Sequence, residues 1–213
     1  CRRFSIKKEI YVVRNNIIYP RISINSNDNK EKITNENFSI NSQITIGFAA
    51  PLRVRVKSLD IFVRICNELN RNFNIKVITA GTGEDEFYFT SSIRKIIGKE
   101  NYLHLGWMDN LDGFFEKIDI LIIPSRYDSC PNFLLEAINI PNIRIIASDI
   151  PAHREILIEN DLLFALENLK TINYKFENIL LMKNEKYKCY INKVKEKYSF
   201  NWEDEMYKVI NKN

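Results

Sequence analysis

Two periods of apolar residues alternate along the chain. Short, bounded apolar runs recur at Ile44-Thr-Ile-Gly-Phe-Ala49, Ile75-Lys-Val-Ile-Thr-Ala80, Asn101-Tyr-Leu-His-Leu105, Ile118-Asp-Ile-Leu-Ile-Ile123 and Ile143-Arg-Ile-Ile-Ala147, with a shorter one at 162–164. Runs of that length, rich in β-branched residues and without strict alternation, predict strands covered on both faces. Between them the spacing becomes helical. Residues 57–69 place Leu59, Phe62, Val63, Cys66 and Leu69 on one helix face. Further helices are predicted at 84–97, ending near Gly98, at 110–116, and at 132–138 behind Pro131. Two more, at about 165–182 and 185–209, close the chain. An additional strand is expected at 9–13, and 23–42, rich in Asn, Ser, Lys and Glu, reads as a mobile loop. Strands that alternate with helices predict an α/β fold with a parallel sheet and helices on both faces, plus C-terminal helices. The division expected is a connector at 1–42, a sheet domain at 43–183, and a terminal helix at 184–213.

Charge narrows the partners. The net charge is only +4, and from Lys170 onward ten lysines face six acidic residues, so the whole excess lies in the tail. Such a tail can approach anionic lipid head groups, although a solvated helix face is the plainer reading. No compact Arg/Lys stripe interleaved with aromatics points to nucleic acid. No apolar run is long enough to span a bilayer and no secretory signal opens the sequence, so a cytoplasmic protein is expected, at most peripheral at the inner face of the membrane. The four cysteines are dispersed without a CxxC pair, and His104 and His153 are the only histidines. Local spacing therefore assembles no zinc site. The chain opens on Cys1 rather than Met, which suggests a fragment or a processed product.

Candidate chemistry concentrates in Pro124-Ser-Arg-Tyr-Asp-Ser-Cys-Pro-Asn-Phe-Leu-Leu-Glu136. It reads as strand, polar turn and helix, with Asp128 in the turn and Glu136 within the helix. Ligands of open α/β sheets bind at that end of the strands, where helix starts suit anions and carboxylates accept hydrogen bonds from sugar hydroxyls. On spacing alone, a cap at Asp128 and a solvated helix residue at Glu136 are the plainer reading. Gly81-Thr-Gly83 lacks the third glycine of a dinucleotide fingerprint and runs into Glu84, Asp85 and Glu86. Three acids would repel a pyrophosphate, so a tight turn is expected there. No P-loop is present, and neither Ser125 nor Cys130 has a histidine nearby in sequence.

A family pattern runs through these segments in order. Glu9-Ile-Tyr-Val-Val-Arg-Asn-Asn-Ile17, Ile46-Gly-Phe-Ala-Ala50 with Lys57, Ala80-Gly-Thr-Gly83, Leu103-His-Leu-Gly-Trp107, and Asp119-Ile-Leu-Ile-Ile-Pro-Ser125 each match a successive motif. Asp128 to Glu136 fits E-x7-E with Asp in first place, and Ser148-Asp-Ile-Pro-Ala-His-Arg-Glu155 and Phe200-Asn-Trp202 follow. Over nearly its whole length the chain resembles the C-terminal, donor-binding half of a GT-B, family-4-type (glycosyl transferases group 1) retaining glycosyltransferase. The resemblance implies a Rossmann-like sheet that binds a nucleotide-sugar donor.

The implied roles follow residue by residue. Lys57 would neutralise the diphosphate, and the backbone of Asn132, Phe133 and Leu134 would face the same phosphates. Glu136 would hold the ribose hydroxyls and Asp128 those of the transferred sugar. Gly106 and Trp107 would lie near the base, with Ser129 completing the nucleotide contacts. No metal or other cofactor is implied. A saccharide acceptor would be held by an N-terminal domain missing here, to which the last helix would cross back. Its apolar face around Trp202, Met206 and Val209 would then favour self-association. The resemblance thus implies hexosyl transfer from a UDP- or GDP-sugar in bacterial surface polysaccharide synthesis, O-antigen or capsule. Two departures stand out. Leu52 or Pro51 occupies the place of the family's phosphate-binding Arg, with Arg53 or Arg55 nearby, and Asn139-Ile-Pro-Asn-Ile143 replaces G-x-P. A noncatalytic, degenerate nucleotide-binding or interaction domain is the alternative, and a sugar-nucleotide epimerase of the same architecture a third.

Overall fold

The computed structural model describes residues 42–129, 131–199 and 201–211, and within them all side chains except those at positions 55, 56, 202, 205 and 209. The strand expected at 9–13 and nearly all of the loop expected at 23–42 lie outside the described residues. Six strands form one sheet: β1 (Ile44–Ala49), β2 (Ile75–Ala80), β3 (Tyr102–His104), β4 (Ile120–Ile123), β5 (Arg144–Ser148) and β6 (Leu163–Phe164). Their order is β3-β2-β1-β4-β5-β6, with every pairing parallel. The strands are almost wholly buried, as their unbroken apolar runs require.

The connections explain the two helical layers. From β1 the chain steps outward through α1 (Val54–Lys57), α2 (Leu59–Leu69), β2, α3 (Glu86–Ile97) and β3. It then returns through α4 (Asp112–Phe115) to β4 on the other side of β1, and steps the opposite way through α5 (Asn132–Ile138), β5 and α6 (Pro151–Ile156) to β6. Right-handed crossovers that progress in opposite directions place α2 and α3 on one face and α4, α5 and α6 on the other. The aromatic contacts follow this division. Phe48, Phe62 and Phe89 cluster beneath α2 and α3, whereas Phe115 stacks on Phe133 across α4 and α5. Fully burying such a side chain contributes about 1.5–3 kcal/mol. At the amino ends of β1 and β4, Asp119 accepts from Thr45 N while its own amide donates to Thr45 O, both at 2.8 Å.

Three expected elements come out differently. The helix read at 57–69 is two helices, broken at Ser58, which adopts the left-handed conformation (φ 56°, ψ 44°). Its buried face includes Ile61 and Ile65, with Val63 only half-buried. The helix expected at about 165–182 starts later, as α7 (Thr171–Leu181), and the one expected at 185–209 is split into α8 (Asn184–Tyr198) and α9 (Trp202–Ile210). Helix α6 was not foreseen, although Pro151 sits at its start, where a missing N–H costs nothing.

Several lysines of the tail turn inward to the domain. Lys186 pairs with Asp161 and Lys193 with Glu159, and Lys197 donates to Glu155 O. Among the described residues, no helix is long and apolar enough to cross a membrane. The side chains of Trp202 and Val209, on which the expected apolar face rests, lie outside the description.

Candidate active site

β1 and β4 are neighbours in the sheet but their helices depart in opposite directions, so a crevice opens at their carboxyl ends. A cleft of about 240 Å³ occupies it. The segment after β1 supplies Ala50, Pro51 and Lys57, and the β3 loop supplies Trp107 and Met108. The β4 loop brings Ser125 and Asp128, and the start of α5 brings Phe133 and Leu134. Most of the wall is apolar, which suits a flat ring, with charge confined to one corner.

That corner is Lys57 and Asp128. Lys57 Nζ donates to Asp128 Oδ2 at 3.4 Å, with the two side chains 29% and 15% exposed. Lys57 ends the single-turn helix α1, whose first amide, Val54 N, donates to the Asp85 carboxylate at 2.8 Å. One of the three acids that follow Gly81-Thr-Gly83 is therefore a helix cap borrowed from another loop. The glycines themselves are required by close approach. At Gly81 φ is +119°, and a Cβ there would lie 1.9 Å from Ala50 O; at Gly83 it would lie 2.3 Å from Leu52 O. The tight-turn reading of this motif is thus the one the structure bears out. Gly81 N also donates to Gly106 O at 2.7 Å, fastening the β2 loop to the β3 loop.

The cleft brings together Lys57, Trp107, Asp128, Phe133 and Leu134 of the expected site residues. Trp107 is 66% exposed and its indole N–H donates to Asp109 Oδ1 at 2.9 Å, which fixes the ring. The amide of Leu134 closes the first turn of α5 by donating to Pro131 O at 3.0 Å, so it is not the open donor that the resemblance implied. Ser129 and Asn132 are exposed, and neither they, Gly106 nor Glu136 is among the lining residues. Glu136 lies one turn into α5, half-buried, and burial pushes its carboxyl above the usual glutamate range. Leu52, at the place of the family's Arg, is a fully buried core residue, while Arg53 is exposed.

Sequence reasoning missed the residues around this pair. Ser58 is fully buried and its hydroxyl accepts from Arg126 N at 2.9 Å, while the Arg126 guanidinium grips Asp60 with two bonds of 2.7 and 2.6 Å. His153 is also fully buried. Its Nδ1 lies 2.9 Å from Ser148 O, and Nε2 has no protein partner. Burial lowers its pKa, with Asp128 acting to raise it and Lys57 to lower it, so the ring belongs electrostatically to the same corner. Among the described residues, no cluster of three or more His, Cys, Asp or Glu could hold a metal ion.

A family model described as "Glycosyl transferases group 1" matches residues 43–181, the sheet and its helices entire. This chain belongs to that family. It is thus a GT-B, family-4-type glycosyltransferase domain. Among curated proteins, the O-antigen biosynthesis glycosyltransferase WclY of Escherichia coli is 26% identical over 163 residues, which is 75% of this chain and 44% of the relative. The chain therefore spans less than half the length of the curated relative it matches. Two solved structures show the same fold. The lipopolysaccharide outer core galactosyltransferase WaaB superposes with a TM-score of 0.69 at 14% identity, over 94% of this chain and 55% of its own. A Staphylococcus aureus TarM variant, solved with Fondaparinux, alpha-GlcNAc-glycerol and UDP, gives 0.64 at 17% identity, over 78% of this chain and 34% of its own.

Proposed function

We propose that this glycosyltransferase domain binds the nucleoside diphosphate of a UDP- or GDP-sugar and serves as the donor half of a retaining transferase acting in O-antigen or capsule synthesis. The observation that carries the proposal is the Lys57–Asp128 pair, set in an apolar cleft at the switch point of the sheet. The ammonium would neutralise charge that develops on the departing diphosphate, where a fixed cation lowers the barrier most. Asp128 would accept from hydroxyls of the transferred hexose, and the ring of the base would lie against Trp107 and Met108. Retention needs the acceptor hydroxyl to attack from the face the diphosphate leaves, so no general base is required of these residues. The acceptor would be held by another part of the full protein. The name of the E. coli relative supports the O-antigen assignment, and the lysine supports donor binding without added metal.

Titration calorimetry tests this directly. The chain should bind UDP or GDP in the absence of divalent metal. Lys57→Ala should weaken binding by about ten- to a hundredfold, the loss of one charge-assisted hydrogen bond worth about 1.5–3 kcal/mol. A second reading, a domain that has lost transfer, is favoured by the buried Leu52 where the family carries Arg. Failure of the wild-type chain to bind either nucleotide would decide for it.

A further inference from the structure

Lys57, at the end of α1, and Asp128, in the β4–α5 loop, lie 71 residues apart in sequence. The interactions that bring them together are specific. Ser58, immediately after Lys57, holds a left-handed conformation that costs a non-glycine residue about 1–3 kcal/mol and persists only where its surroundings impose it. Its buried hydroxyl accepts the Arg126 amide, two residues before Asp128. The Arg126 side chain then reaches Asp60, three residues after Lys57, and forms a two-bond fork with both carboxylate oxygens. From the opposite side, Ser148 Oγ donates to Ser125 O at 2.5 Å, so the loop is held at its carbonyl as well as at its amide.

The Arg126–Asp60 pair is partly exposed, with side-chain exposures of 42% and 35%. Exposed ion pairs add little to stability as a rule, but a planar two-bond fork fixes orientation in a way a lysine cannot. The Ser125–Arg126 peptide is already anchored through its bonds to Ser148 and Ser58, so the fork acts chiefly on geometry.

We propose that Arg126 is a positioning residue: its fork to Asp60 clamps the β4–α5 loop onto the α1–α2 turn and sets the Asp128 carboxylate beside the Lys57 ammonium, so that sugar and diphosphate of one donor are read together. The inference rests on the donor-binding role proposed above. It separates two ligands that differ only in the sugar. A bare nucleoside diphosphate needs Lys57 but not the register of Asp128. A nucleotide-sugar needs both.

The experiment measures affinities of the whole chain for UDP and GDP and for UDP-glucose, UDP-galactose and GDP-mannose, using whichever matched pair the wild type binds. Arg126→Ala removes the fork and keeps the amide bond to Ser58. The nucleotide-sugar should bind about tenfold more weakly, while the bare nucleotide is not weakened and tightens by at most about tenfold as Asp128 loosens from Lys57, and the melting temperature stays within about 2 °C. Asp60→Ala should do the same. Arg126→Lys should stay impaired, because a point charge cannot make the fork, and the exchanged pair Arg126→Asp with Asp60→Arg should recover part of the loss. Equal weakening of both ligands, or of neither, overturns the positioning role while leaving donor binding intact. A wild-type chain that binds no nucleotide removes the donor reading and this inference with it.

Discussion

Asp128→Asn removes the negative charge 3.4 Å from the Lys57 ammonium and preserves the shape of the side chain. Two unit charges at about 4 Å attract by about 1 kcal/mol in water-like surroundings and about 4 kcal/mol at an effective dielectric constant of about 20. Both side chains retain some exposure, which selects the lower part of that range, about 1–2 kcal/mol. In the free protein the carboxylate holds the ammonium, and an arriving diphosphate has to share it and face a nearby like charge. The amide neither competes nor repels. UDP or GDP should therefore bind the variant about five- to tenfold more tightly at low salt, a gain of about 1–1.4 kcal/mol. Added salt should shrink the gain as the screening length falls. The matching nucleotide-sugar should not share the gain, because its hydroxyls lose a charged acceptor. Calorimetry with both ligands, on both proteins and at two ionic strengths, measures each quantity. Weaker or unchanged nucleotide binding by the variant at low salt would refute the idea that Asp128 and the diphosphate compete for Lys57.

Three further outcomes are expected. Burial favours the neutral form of Glu136, so ionising it disfavours the folded state, and the penalty grows as pH rises from the ordinary value of 4.5 through the raised one; Glu136→Gln should raise the melting temperature at pH 7 but not at pH 4, and an equal change at both would contradict this. Asp85→Ala removes the cap of α1, a loss of about 1 kcal/mol, and should lower the melting temperature by about 2–4 °C and nucleotide affinity by no more than about fivefold; an affinity loss much beyond that would mean Asp85 acts on the ligand itself. Gly81→Ala places a methyl against the Ala50 carbonyl in a backbone conformation that disfavours L side chains, so the variant should fail to yield a cooperatively melting protein, and an unchanged melting curve would show that the loop relaxes easily.

The sheet was readable in the sequence because its strands are covered on both faces and therefore appear as unbroken apolar runs, at Ile44–Ala49 and Ile75–Ala80 to the residue. Helix breaks were less readable. The apolar spacing continues across Ser58, and the turn that separates α1 from α2 is braced by the amide of Arg126, a residue 68 positions away. The site divided along the same line. Lys57 and Asp128 could be picked out because each type suits one part of a nucleotide-sugar and the motif order fixed their places. Asp85, Asp60 and Arg126 act through partners on distant loops, and nothing in their immediate neighbourhoods marks them. A carboxylate after a glycine turn looks like solvent-facing charge until the amide it caps is known.

Arg144 has a consequence for where this domain can be cut. The residue lies within β5, 6% exposed, and its guanidinium donates to Ile179 O at the end of α7 and to Asn184 Oδ1 on α8, beneath the ring of Tyr187. Severing the chain at residue 181, where the family match stops, would strip away Asn184 and Tyr187 and cost Arg144 a hydrogen bond and a cation–π contact. It would also uncover the core against which Ile191, Val194 and Tyr198 pack. The stretch that the family model covers is thus smaller than the packed unit, and moving this domain into another protein has to carry α8 with it.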